Sequence, residues 1–239
     1  MRTLMVLLAM VLALLRTEAS AGPLLTNLIV NGDAELGNIN GWTSGFGASP
    51  VEVTNHVGPS PQFGAGLPAG VSIGQYVFTG GFAGPSDGSY SQLMRQLVDL
   101  SSFAVLIDAG LAQADFAALV EDRVQSPLSD SVTGTVKYLS GGGSVLGSFT
   151  FNDPTNLSGE YDWFQFADSR LLPANTRKAQ VDFNFVRSGG SSTDSAVDNV
   201  SLQIADRSAP TNFVPEPATL ALVTTALAAL MLGRRQKRT

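Results

Sequence analysis

The chain of 239 residues has no cysteine and one histidine. Without cysteine there is no disulfide framework and no thiol nucleophile, so stability must come from an ordinary core. The single histidine, His56, lies in a Gly- and Pro-rich stretch and reads as a solvated loop residue; a cluster of metal-binding histidines is excluded. The run Gly141-Gly142-Gly143 lacks the lysine and the strand-to-helix setting of a phosphate loop. Internal repeats are absent. Positive charge is scarce away from the ends. Setting aside residues 1–21 and 215–239 removes six of the 14 basic residues and two of the 20 acidic ones, leaving a body of 8 − 18 = −10. So acidic a body repels phosphate backbones and anionic lipid, which argues against nucleic-acid binding and against peripheral attachment through charge. Divalent cations suit it better.

Catalysis has little to stand on. Asp108 with Asp115, or Asp162 with Asp168, could serve as a glycosidase pair, but an acidic chain supplies such pairs freely and nothing in the sequence sets their separation. The expectation is therefore a protein that is not an enzyme.

The two ends differ in composition from the middle. Arg2 precedes an apolar run from Leu4 to Leu15, and Ala19-Ser20-Ala21 has the small-x-small form of a signal-peptidase site, so cleavage is expected after Ala21. The run is short for a membrane anchor, the alternative reading. At the other end, Ala218 to Gly233 is uncharged and rich in Ala and Leu; as a helix it would measure about 24 Å. Arg234, Arg235, Lys237 and Arg238 follow, and the positive-inside tendency would keep residues 234–239 in the cytoplasm. Pro215 and Pro217 cannot continue a helix backward, so the linker 209–217 presents an extended, accessible segment just outside the membrane.

Pro215-Glu216-Pro217, an apolar helix and an Arg-rich end, in that order, resemble the PEP-CTERM sorting signal of Gram-negative bacteria. The resemblance implies recognition by an exosortase-type processing enzyme, a transient inner-membrane anchor, and delivery to the envelope or to a biofilm matrix. A permanent single-span anchor is the alternative.

Between the ends, residues 22–208 read as short strands separated by turns. Val181, Phe183 and Phe185 alternate with polar residues, as do Val200, Leu202 and Ile204. Val132 to Tyr138 alternates with Thr133, Thr135 and Lys137 outward, and Ser140–Ser144 turns the chain into the apolar run Val145–Phe151, a hairpin signal. Phe103–Ile107 reads as a strand, and so does Gln113–Val124 despite near-helical spacing. The expected fold is all-β, a jelly-roll β-sandwich in one domain.

The opening Asn27–Glu35 with Gly41-Trp42, and the closing Val197-Asp198-Asn199-Val200-Ser201-Leu202, are similar to the ends of galactose-binding-like jelly rolls, including bacterial carbohydrate-binding modules. Leu106–Gly110, Val136–Leu139 and Leu172–Arg177 resemble the F-box-associated, sugar-binding sandwich. The resemblance implies that first and last strands lie close together, with a structural calcium ion held near them by Asp33, Glu35 and Asp198. Three carboxylates plus backbone carbonyls would be adequate calcium chemistry; the alternative is that Asp33 makes a turn and the other two are solvated. Sugar modules stack a pyranose ring on an exposed aromatic. Trp42, Phe46, Tyr161 and Trp163 are the candidates. Trp42 is expected in the core, whereas Trp163 with Tyr161, Asp162 and Gln165 is the expected sugar site. The sequence thus points to an exported structural or adhesive protein with weak recognition of an exopolysaccharide. The alternatives are a polysaccharide-processing enzyme and a matrix scaffold with no sugar ligand.

Overall fold

A computed structural model describes residues 26–45, 51–55, 66–81, 90–122, 124–125, 128–152, 162–188 and 193–208. The signal-peptidase site at Ala19 and Ala21, Phe46, His56, Tyr161, the linker 209–217 with Pro215, Glu216 and Pro217, the apolar run 218–233 and the basic end with Arg234 and Arg235 lie outside them. Among the described residues no helix is long and apolar enough to cross a membrane.

The described strands all belong to one compact unit, Pro23–Arg207. In chain order they are β1 (Glu52–Asn55), β2 (Tyr76–Thr79), β3 (Tyr90–Asp99), β4 (Ala112–Asp122), β5 (Val124–Gln125), β6 (Leu128–Ser129), β7 (Ser131–Ser140), β8 (Val145–Asn152), β9 (Asp162–Leu171), β10 (Thr176–Arg187) and β11 (Ala196–Asp206), with one short helix, α1 (Ala104–Asp108). Two antiparallel sheets, β1-β2-β11-β4-β9 and β3-β10-β7-β8, make the sandwich, and β5-β6 is a small hairpin beside them.

Period-two alternation decides what lies between the sheets. Val132, Val136, Val181, Phe183, Phe185 and Met94 point in from one sheet, and Phe116, Ala118, Val120, Leu202 and Phe78 from the other. Their burial is the main favourable term for the fold. Phe151 stacks on Phe166 with ring centroids 4.1 Å apart, bridging β8 and β9 across the layers. Gly134 makes this possible: a Cβ there would come within 2.1 Å of Phe151 Cζ. Trp42 is buried as expected, edge-on to Phe78 at 5.7 Å, and its Nε1–H donates to Asn31 O.

Gln113–Val124 is largely strand: β4 runs to Asp122. Phe103–Ile107 is not a strand. A 3₁₀ turn at Ser101–Phe103 leads into α1, because Asp99 Oδ1 accepts the Ser101 N–H just past the end of β3 and starts a turn. Phe103, Leu106 and Ile107 then reach the core at i, i+3 and i+4, which suits one helical turn.

Strand directions give the sandwich two poles. At one lie the ends of β3, β7, β9 and β11, the starts of β4, β8 and β10, and α1; the opposite ends of those strands form the other.

Candidate functional site

The opening and closing motifs meet. Asn27 Nδ2 donates to Val200 O and its Oδ1 accepts the Leu202 N–H, both at 3.0 Å. Leu28 N–H donates to Leu202 O and Val200 N–H to Gly32 O, each at 2.8 Å. Gly32 is required at this crossing, since a Cβ would sit 2.0 Å from Val200 O. The register of β11 on β4 shifts between Asp198 and Ser201, and Asn199 takes a positive φ of 50°. This irregularity opens a cleft of about 360 Å³ lined by Asn27, Ile29, Asn31, Gly32, Asp33, Asn199, Val200 and Ser201.

Asp198, next to the cleft, is fully buried. Its Oδ1 accepts the Asn199 N–H at 2.7 Å, while Oδ2 has no hydrogen-bond partner. Burial, opposed by that hydrogen bond and reinforced by the charges of Glu35 and Asp33, pushes its carboxyl up to about 8. Asp33, Glu35 and Asp198 are therefore neighbours in the electrostatic sense. They do not form a cage: among the described residues no group of three acidic or histidine side chains could hold a metal ion. Glu35 is engaged otherwise, its Oε1 accepting the backbone N–H groups of Gln75 and Tyr76 at 2.6 and 2.9 Å. Asp33 Oδ1 faces the Glu35 N–H at 3.4 Å, a turn contact. The arrangement does not fit the calcium ion that the resemblance implied.

The loop pinned by Glu35 also hides the expected sugar platform. Asn199 Nδ2 donates to Ser72 O, a second tie on the segment 66–75. Leu67, Val71 and Ile73 of that segment pack on a small second core of Val77, Leu119, Trp163 and Ala196. Trp163 is only 5% exposed, so the expectation of an exposed ring is corrected. Its covering lies some ninety residues earlier in the chain, beyond the reach of any local pattern. Gln165 is exposed on the same face of β9, whereas Asp162 points to the other face by strand alternation. These three side chains do not converge.

Three of the four candidate carboxylates, Asp108, Asp115 and Asp168, are held as well. Asp108 binds Arg177 through Nη2 at 2.6 Å and accepts the Asn175 N–H, and the Arg177 hydrogen bond lowers its pKa. Asp168 pairs with Arg170, and Asp115 accepts from Gln113 Nε2 and Ser169 Oγ. A glycosidase acid needs a raised pKa, and Asp108 is shifted the other way.

The sequence reading missed a polar surface on the outer face of β3-β10-β7-β8. Asp182 accepts Arg95 Nε at 2.6 Å, Gln180 Nε2 at 2.8 Å and Lys137 Nζ at 3.4 Å. In register beside it stand Thr135 and Thr150, whose hydroxyls are 3.2 Å apart, and Asn184 with Thr133. The outward alternation of Thr133, Thr135 and Lys137 was the signal. Only the pairing of β7 with β10 shows that it continues into a surface.

Residues 213–238 match the family model described as the PEP-CTERM protein-sorting motif. The chain carries a PEP-CTERM sorting motif at its C-terminus. No curated protein matches it. Among solved structures it is similar to the enzymatically active domain of tailspike protein 4 of bacteriophage CBA120, with 17% identity and a TM-score of 0.47 over 74% of this chain, which spans 21% of that one. It is also similar to a family 16 carbohydrate-binding module, with 18% identity and a TM-score of 0.43, covering 74% of this chain and 99% of that one. The CBM22-1 xylan-binding domain from Paenibacillus barcinonensis Xyn10C gives 12% identity and a TM-score of 0.37, covering 79% and 98%. Likenesses this distant do not bear on function.

Proposed function

We propose that this is an exported structural or adhesive protein whose tail hands it to an exosortase-type enzyme. The signal peptide is removed after Ala21. Residues 218–233 hold the chain transiently in the inner membrane with 234–239 inside, and processing near Pro215-Glu216-Pro217 releases the β-sandwich to the envelope or the extracellular matrix. The single observation that carries this reading is the motif match over residues 213–238.

Weak contact with an exopolysaccharide belongs to the same proposal, relocated from Trp163 to the outer face of β3-β10-β7-β8, where Thr133, Thr135, Lys137, Gln180 and Asn184 are half-buried and Thr150 is exposed around an Asp182 that is itself buried. The hydroxyls, amides and fixed charges of that face offer the donors and acceptors that sugar hydroxyls need, and the described side chains there place no ring to stack on, which keeps such binding weak. The engaged state of Asp108, Asp115 and Asp168 supports a non-catalytic reading over a polysaccharide-processing one.

Mass spectrometry of the protein recovered from cells tests the sorting. The expected mature chain starts at Gly22 and lacks residues 218–239; a mature chain that keeps them overturns the reading. On a glycan array, Gln180→Ala with Lys137→Ala is expected to abolish any signal. A signal that survives both removes this face from consideration.

A further inference from the structure

Among the described residues seven large apolar side chains are exposed, two of them, Val30 and Leu36, on the opening segment and the other five together at one end of the sandwich. Leu97, Val105, Val145, Leu146 and Leu171 all lie at or near the pole that holds α1, and Val105 on α1 is 88% exposed. The chain leaves the sandwich at this same pole: Asp206 pairs with Ala112, and Arg207 N–H donates to Leu111 O. Charge is balanced here, with Arg170, Arg177, Lys178 and Arg207 set against Asp99, Asp108, Asp168 and Asp206. At the other pole the described residues include Glu121, Asp122, Asp130, Asp162 and Asp194 against Arg187. Among the described residues the half-exposed acids Asp122, Asp162 and Asp194 thus lie away from the pole where the chain leaves the sandwich.

Only residues 209–217 separate Ser208 from the apolar run that starts at Ala218. Fully extended they reach no more than about 35 Å. A ten-residue strand such as β7 is itself about 33 Å long, so a domain on this leash stays within roughly its own height of the bilayer. A leash of that length gives an effective concentration in the millimolar range, enough to populate a contact too weak to hold a free domain.

We propose that, while the tail is inserted, the α1 pole docks on the lipid surface, with Val105, Val145, Leu146 and Leu171 entering the headgroup region and the four basic side chains at its rim. This inference rests on the reading of 218–233 as a membrane segment.

The absence of cysteine makes the test clean, because each introduced thiol is unique. The full chain is reconstituted into vesicles of phosphatidylethanolamine with a minority of phosphatidylglycerol. Val105→Cys, Leu146→Cys, Asn152→Cys and Ala226→Cys each carry a fluorophore, and quenching by lipid-borne nitroxide is read. Asn152 is exposed at the far end of β8 from Leu146. Docking predicts quenching at 105 and 146 several-fold stronger than at 152, with 226 quenched most. If 226 is quenched while 105 and 146 match 152, docking is overturned and the tail reading stands. If 226 is not quenched, both fall. Shielding of 105 and 146 without vesicles, accompanied by larger species in light scattering, assigns the patch to a second copy of the chain and also overturns the proposal.

Discussion

The two poles of this sandwich solve the problem of ending a sheet in opposite ways. At the α1 pole the chain leaves apolar side chains in solvent and pairs its charges at the surface, as Asp108 does with Arg177. Towards the other pole it buries polar groups: Asp198, Gln92, Glu121, Arg187 and Ser195 are all buried, and a loop is laid over Trp163. Exposed apolar groups cost the fold little, whereas buried carboxylates and amides cost much unless each is satisfied. Stability should therefore be most sensitive to change at the polar pole, and interaction with other surfaces at the α1 pole.

The largest effect should come from Trp163→Ala, which empties the second core: a loss of about 3–5 kcal/mol in denaturant unfolding. A platform residue would instead lose a ligand at unchanged stability, so a small loss would restore the exposed-ring reading. Gly32→Ala should cost about 2–3 kcal/mol, since the new Cβ meets Val200 O and must part the opening segment from β11. A near-neutral result would show that this junction contributes little.

Asp198→Asn should stabilise. Below about pH 4 the carboxyl is protonated whether folded or not and contributes no penalty. Between there and about 8 folding must take up a proton, so stability falls as pH rises through that window and stays low above it. The asparagine keeps an acceptor for the Asn199 N–H and carries no charge. A gain on the order of 2 kcal/mol at pH 8, vanishing near pH 4, is expected from thermal melts. Destabilisation at pH 8 that calcium reverses in the parent alone would instead revive the cation site. The smallest change belongs to Val105→Asp, expected to move stability by less than about 0.5 kcal/mol while weakening contact with vesicles. A larger loss would mean that α1 supports the core more than its exposure suggests.

Residues of strict alternation were legible from the sequence because a strand's period is set by its own backbone: Val181, Phe183 and Phe185 on β10 and Val200, Leu202 and Ile204 on β11 are inside as their spacing requires. Trp42 was legible too, as a large ring just behind the first docked segment. The turn after β3 was not, because the unbroken apolar run Phe103–Ile107 fits a short buried strand as well as a helical turn until Asp99 binds the Ser101 amide.

By itself the sequence determined the class of fold, the acidic body and the sorting motif, all of which rest on local order and composition. Tertiary structure alone decided that Trp163 is covered, that Glu35 binds the amides of Gln75 and Tyr76, that Asp198 is left with one oxygen unpartnered, and that exposed apolar side chains such as Val105 and Leu171 stand at the pole where the chain leaves the sandwich. Each of these joins segments tens of residues apart, and burial and electrostatic field are sums over neighbours in space, which a one-dimensional pattern does not contain.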